Sequence, residues 1–138
     1  MNCQLIFYSA RKTAFCERSL SRCFSGLNIR LLNVSFAVDS KELGEYVTKA
    51  FENCDLVFIV GGFSLDGDKR ILNILSNALA KANVDEVKKL YNEDGEDGYV
   101  FKSGNQLLIA LPDAPYHICE IMQGPVSRYI QITDSVRV

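Results

Sequence analysis

Residues 55–70 read DLVFIVGGFSLDGDKR, in which five uninterrupted apolar residues lead to Gly61-Gly62 and then to Asp66, Asp68, Lys69 and Arg70. These residue types at this spacing suit an anion, or an anion carried by a metal. Glycines permit left-handed backbone angles and let a ligand approach the main chain closely. A helix starting near Asp68 would add the partial positive charge of its N-terminus to the same spot. Asp66 and Asp68 alone would repel a bare phosphate. With Mg²⁺ between them the interaction changes sign, because hard carboxylate oxygens hold the metal and the metal holds phosphate oxygens. Structural uses compete with this chemistry at each position. A double glycine after a strand makes a tight turn, Asp66-Gly67 is a common turn dipeptide, and Asp68 can serve as the N-cap of the next helix.

Other residues with chemical potential are scattered. His117 is the single histidine; it follows the loop Pro112-Asp113-Ala114-Pro115 and can face a ligand or carry a proton near neutral pH, although an isolated histidine on a helix is the simpler reading. Arg11 and Lys12 follow the first apolar segment and can meet an anion or remain solvated. Tyr116 and Phe63 can stack on a ring or pack into the protein. Five cysteines, Cys3, Cys16, Cys23, Cys54 and Cys119, are odd in number and widely spaced. Neither a disulfide framework nor a CxxC zinc pair is visible, so reduced, mostly buried thiols and no structural zinc are expected.

The elements that must position these loops are legible from periodicity. Cys3–Tyr8 predicts a strand, and Phe15, Cys16, Leu20, Cys23 and Phe24 recur at helical spacing over Thr13–Phe24, with Gly26 expected to end the helix. Ile29–Val38 is rich in branched and aromatic residues and predicts a second strand. Asp39 followed by Glu42 has the form of a capping box for a helix whose inward face is Leu43, Val47, Ala50 and Phe51. Leu56–Val60 lacks polar alternation, as expected for a parallel strand buried on both faces. Ile71, Leu72, Leu75, Ala78, Leu79 and Ala82 predict a further helix. Residues 92–98 are acidic and turn-rich and predict an exposed loop. Gln106–Leu111 is another buried strand, and PDAPYHICEIMQ begins with prolines and continues as a short helix.

Alternating strands and helices with short connections predict a three-layer α/β/α sandwich with a mainly parallel sheet. Ligands in such folds bind at the carboxyl ends of the strands, which singles out the loops after Val60 and Leu111. At 138 residues the chain fits one domain, 1–138, and the 48% hydrophobic and 23% charged shares suit a folded globular protein. The net charge of -2 provides no overall basic field for nucleic acid. The N-terminal apolar run precedes its positive charges, the reverse of a secretory signal, and no apolar run reaches the roughly 18 residues of a membrane helix. A cytoplasmic protein with neither a nucleic-acid nor a membrane partner is expected.

Two stretches carry a family resemblance. DLVFIVGGFSLDGDKRILNILSNAL resembles the segment of the molybdopterin-binding domain family, the MoaB, MogA and CinA-like proteins, that places G-G-x-G-x-x-x-D-D after a hydrophobic strand. SGNQLLIALPDAPYHICEIM, downstream, resembles that family's L-P-G-x-P segment. Gly61, Gly62 and Asp68 fall on the double glycine and first acid, while Ser64 stands at the third glycine and Lys69 at the second acid. Pro112 and Pro115 match the second motif, and Asp113 stands at its glycine. GEDGYVFK matches poorly the segment that helps hold the pterin, and SARKTAFCERS lacks the family's G-D and D-x-N signatures.

The resemblance implies a divergent stand-alone domain that binds a phosphorylated pterin or nucleotide in molybdenum cofactor metabolism. The implied ligand contacts are Gly61, Gly62, Ser64, Asp66, Lys69, Pro112, Asp113 and Pro115. Asp68 would be the catalytic acid and the Mg²⁺ ligand, with Lys69 or Arg70 on phosphate; molybdopterin or an adenine nucleotide is the implied ligand, and a homo-oligomer, by the family's habit a trimer, the implied assembly. Two other readings stand beside it: a Mg²⁺-dependent molybdopterin adenylyltransferase or nucleotide pyrophosphatase, and a non-catalytic assembly or regulatory subunit.

Overall fold

The computed structural model describes residues 1–65, 70–78, 84–92 and 96–136, the side chains of 78 and 133–136 excepted. In chain order the elements are β1 (Asn2–Tyr8), α1 (Thr13–Leu27), β2 (Arg30–Ala37), α2 (Ser40–Asn53), β3 (Leu56–Val60), α3 (Ile71–Ala78), β4 (Glu86–Leu90), β5 (Gly98–Ser103), β6 (Gln106–Leu111), α4 (Pro115–Ile121) and α5 (Ser127–Val136). The strands form one sheet in the order β2-β1-β3-β6-β5-β4. β2, β1, β3 and β6 run parallel, whereas β4 and β5 pair antiparallel with each other and β5 with β6.

Alternation of side chains along the strands divides the core into two layers. Leu5, Phe7, Phe58, Val60, Ile109 and Leu111 pack with Cys16, Leu20 and Phe24 of α1 and with Ile118, Ile121 and Ile130 of α4 and α5. Ile6, Tyr8, Val57, Ile59, Leu108 and Ala110 pack on the other side with Leu43, Val47 and Ala50 of α2 and Ile71, Ile74 and Leu75 of α3. This is the expected three-layer α/β/α sandwich. Every residue of β3 is buried because helices cover both of its faces, which is why its sequence shows no polar alternation.

The ends of the elements have local causes. The Glu42 N–H donates to Asp39 Oδ1 at 2.8 Å and the Val38 N–H to Glu42 Oε1 at 3.3 Å, so the capping box starts α2 as the sequence predicts. Gly26, by contrast, does not end α1. The helix runs through Leu27 and stops at Asn28, which adopts the left-handed conformation with φ 56°, a role asparagine tolerates better than most residues. Phe15 is also not on the inward face: it is 57% exposed, with the Arg18 guanidinium 5.6 Å from its ring centroid.

The β4–β5 hairpin and α5 lie beyond the elements that periodicity predicts. β4 reads EVKKL, half-buried at Glu86, exposed over Val87, Lys88 and Lys89 and buried at Leu90; it is the sheet's outer strand, and charged side chains are the usual guard on such an edge. Of the predicted acidic loop, 93–95 lie outside the described residues and Gly98 already belongs to β5. The expected extension of the third helix to Ala82 likewise falls outside them. Between α4 and α5 the chain makes a π-type turn over Met122–Val126, where Gly124 leaves helical geometry next to Pro125. Among the described residues no helix is long and apolar enough to cross a membrane.

Candidate functional site

Three loops meet at the carboxyl ends of β1, β3 and β6. The chain passes from β1 to β2 on one side and later to β3 on the other, so β1 and β3 flank the point where strand order reverses. Val60 and Leu111 are register partners, and the Gly61 N–H donates to the Leu111 carbonyl at 3.0 Å. That bond extends the β3–β6 ladder by one residue and sets the two candidate loops side by side.

Gly61 and Gly62 have φ of 106° and 81°, angles that side chains rarely adopt. A Cβ on Gly61 would overlap the Tyr8 carbonyl oxygen and approach Ala10 Cβ to 2.8 Å; one on Gly62 would lie 2.7 Å from Tyr8 Cδ2. The double glycine therefore lets the loop after β3 lie directly against the end of β1. The Ile71 N–H closes the turn on the Gly62 carbonyl at 3.2 Å. Gly61 and Gly62 are buried and Ser64 exposed. Asp66, Asp68 and Lys69 lie outside the described residues.

The loop after β6 is tied to the loop after β1. Asp113 Oδ2 accepts the Arg11 N–H at 2.7 Å, and the Arg11 guanidinium lies 3.8 Å from the same oxygen, its side chain 85% exposed. Ser9 and Lys12 both have positive φ, 45° and 53°, so the segment between β1 and α1 is a strained bend held from outside by Asp113. Lys12 is the N-cap of α1 and makes no side-chain cap bond. The negative charge at this helix N-terminus comes from Asp113, where the dipole favours it. Pro112 is buried, and Pro115 takes the first turn of α4, where a missing N–H costs no helical bond.

The remaining candidates sort as follows. Phe63 is buried and packs against Tyr99 with ring centroids 6.0 Å apart, so it belongs to the core. Tyr116 is exposed and meets His117 edge-on at 5.8 Å. His117 Nδ1 is buried without a hydrogen-bond partner, a feature that its position in the sequence could not reveal. Among the described residues no group of three His, Cys, Asp or Glu side chains comes together. Asp113, the acid the described loops bring to this edge, is occupied by Arg11 and lies beside a cation; it does not fit a Mg²⁺ ligand.

The fold and this edge define an α/β/α domain whose loops converge at a topological switch point. No protein-family model matches the chain, and no curated protein matches it by sequence. Solved structures do match, over nearly its whole length. The protein CinA from Thermoplasma acidophilum, described as of unknown function, has TM-score 0.69 and 16% identity over 93% of this chain and 97% of its own. A molybdenum cofactor biosynthesis protein B has TM-score 0.74 and 12% identity over 99% and 96%. The molybdopterin biosynthesis Mog protein from Mycobacterium ulcerans has TM-score 0.68 and 16% identity over 96% and 98%. At these identities the likeness shows a shared fold, that of the MoaB, MogA and CinA-like proteins.

Proposed function

We propose that this chain is a small-ligand-binding domain that takes a phosphorylated pterin or an adenine nucleotide at the edge formed by the loops after β1, β3 and β6, in molybdenum cofactor metabolism. The observation that carries the reading is the side-by-side placement of Gly61 and Pro112 through the Gly61 N–H to Leu111 bond. Gly61, Gly62, Ser64, Asp66, Lys69, Pro112, Asp113 and Pro115 would line the ligand. The exposed Arg11 guanidinium and Lys12, at the N-terminus of α1, add positive potential where a phosphate would sit. Support also comes from the structural neighbours, two of which are named for molybdopterin or molybdenum cofactor biosynthesis.

Adenylyl transfer or pyrophosphate hydrolysis is the catalytic form of this reading. It would need Mg²⁺ at Asp68, with Lys69 or Arg70 on phosphate to offset developing charge. A second, non-catalytic reading as an assembly or regulatory subunit is favoured by Asp113, whose carboxylate already takes the Arg11 N–H that an anionic ligand would otherwise receive. A homo-oligomer, a trimer by resemblance, and a cytoplasmic location complete the proposal.

The test is a thermal-shift screen of molybdopterin, AMP, ADP and ATP, with and without Mg²⁺. A ligand at 100 times its Kd adds roughly 2.7 kcal/mol of stability, which is easily read. Stabilisation by a phosphorylated pterin or nucleotide, lost on Arg11→Ala, supports the binding reading. A flat response to all of them favours the non-catalytic subunit.

A further inference from the structure

On the face of the sheet opposite α2 and α3, α1 packs against α4, and the two helices leave an open cleft between them of about 430 Å³. It is lined by Cys23 and Leu27 of α1, Cys119 of α4 and Met122 just beyond it, with Arg22 and Gln123 among its other walls. The inward faces of both helices are taken by Leu20 and Phe24 and by Ile118 and Ile121. Cys23 and Cys119 lie one position off those faces, are partly exposed, and are turned into the same cleft. The thiols interact directly: burial, then the neighbouring Cys119, pushes the Cys23 thiol up to about 11.

Several features of this cleft are specific. It brings two thiols and a thioether-bearing residue together, while among the described residues no carboxylate and no histidine lines it. Gly26 borders it, and a Cβ there would meet nothing within 4 Å, so the cleft is open on that side. The other thiols, Cys3, Cys16 and Cys54, are at most 4% exposed, so a small ion entering from solvent meets Cys23 and Cys119 first.

We infer that Cys23 and Cys119 form a two-thiolate site for a soft monovalent ion of the Cu(I) class, with Met122 supplying a third sulfur. Soft sulfur donors select such ions, whereas Mg²⁺ and Ca²⁺ sites are built on carboxylates, and the oxygens offered by the described lining here are the neutral ones of Gln123 and Ser127. Binding replaces two S–H protons by two metal–sulfur bonds: two thiols and one M⁺ give a bis-thiolate complex of charge -1 and two H⁺ released to solvent. No electron is transferred. Arg22, in the cleft wall, offers a positive charge to offset the residual negative one.

The experiment offers Cu(I), as its coloured bicinchoninate complex under anaerobic conditions, to the full chain and to Cys23→Ser, Cys119→Ser and Gly26→Leu. Wild type should bleach the complex by one equivalent. Either serine variant should lose this, and Gly26→Leu, which adds a side chain at the cleft's open side and leaves all three sulfur-bearing residues in place, should weaken it. Circular dichroism checks the fold. Should a variant fail to fold, iodoacetamide mapping of the wild type serves instead, because Cu(I) should protect Cys23 and Cys119 together. Bleaching that persists in both folded serine variants, protection of neither thiol or of one alone, or no bleaching by wild type overturns the site.

Discussion

Asp113 holds the backbone of Arg11: its Oδ2 accepts the Arg11 N–H at 2.7 Å across a sequence separation of 102 residues. The bond joins the loop after the last parallel strand to the loop after the first, at the carboxyl edge where ligand binding is proposed. It also braces a bend in which Ser9 and Lys12 both have positive φ. One side chain thus steadies the scaffold and occupies part of the position proposed for an anion.

These two roles of Asp113 predict opposite effects. Asp113→Ala should destabilise the protein by about 1 to 2 kcal/mol, the range in which loss of a helix-start acceptor and loss of a hydrogen bond to a charged group overlap, while Asp113→Asn, which keeps the acceptor, should lose less. Binding of phosphorylated ligand should instead tighten in Asp113→Ala, because the Arg11 N–H is freed and a repelling charge removed. Denaturant melts and ligand titrations on the same samples read both; weaker binding in Asp113→Ala would count against the occupied-site account.

Gly61 and Gly44 should respond oppositely to alanine. At Gly61 a Cβ meets the Tyr8 carbonyl at φ 106°, so Gly61→Ala should cost about 2 to 4 kcal/mol from strain and displaced backbone. At Gly44, inside α2, a Cβ meets nothing within 4 Å, and Gly44→Ala should add about 0.5 to 1 kcal/mol. Chemical denaturation of the two variants gives the comparison directly.

Stability should fall at alkaline pH. Burial, the first cause in each case, pushes the Cys3 thiol from 9.0 up to about 12 and the Cys16 thiol up to about 11. Their folded values exceed the unfolded one, so the stability linked to them is fully present below pH 9. Above it the unfolded chain ionises first, and each thiol removes about 1.4 kcal/mol per pH unit until the folded value is reached. Melts from pH 8 to 11 under reducing conditions should show this decline, shallower in Cys16→Ala after correction for its lower starting stability.

Asp68 is the proposed metal ligand. Since α3 starts at Ile71, with the Ile74 N–H on the Arg70 carbonyl, Arg70 and not residue 68 holds the cap position; if Asp68 holds Mg²⁺ against phosphate, Asp68→Asn should abolish the Mg²⁺-dependent part of ligand affinity and leave stability without ligand near wild type. Equal Mg²⁺ dependence in the two proteins, measured by titration at matched ionic strength, would remove Asp68 from the metal and catalytic roles.

Much of this architecture was written in local pattern. Uninterrupted apolar runs marked β3 and β6 as strands covered on both faces, and Asp39 with Glu42 marked the start of α2, because burial and capping act over a few residues and leave a periodic or positional signature. Even Gly61-Gly62 was legible as a special turn. Its reason was not: the close approach to Tyr8 exists only once β3 lies beside β1. The pairing of β6 with β3, the antiparallel hairpin inserted before it, the bond from Asp113 to Arg11 and the shared cleft of Cys23 and Cys119 all join residues far apart in the chain. Such contacts depend on where the other strands and helices come to rest, and no spacing in the sequence encodes that by itself. Tertiary packing therefore decided which acid meets which backbone amide and which two of the five cysteines share a cleft.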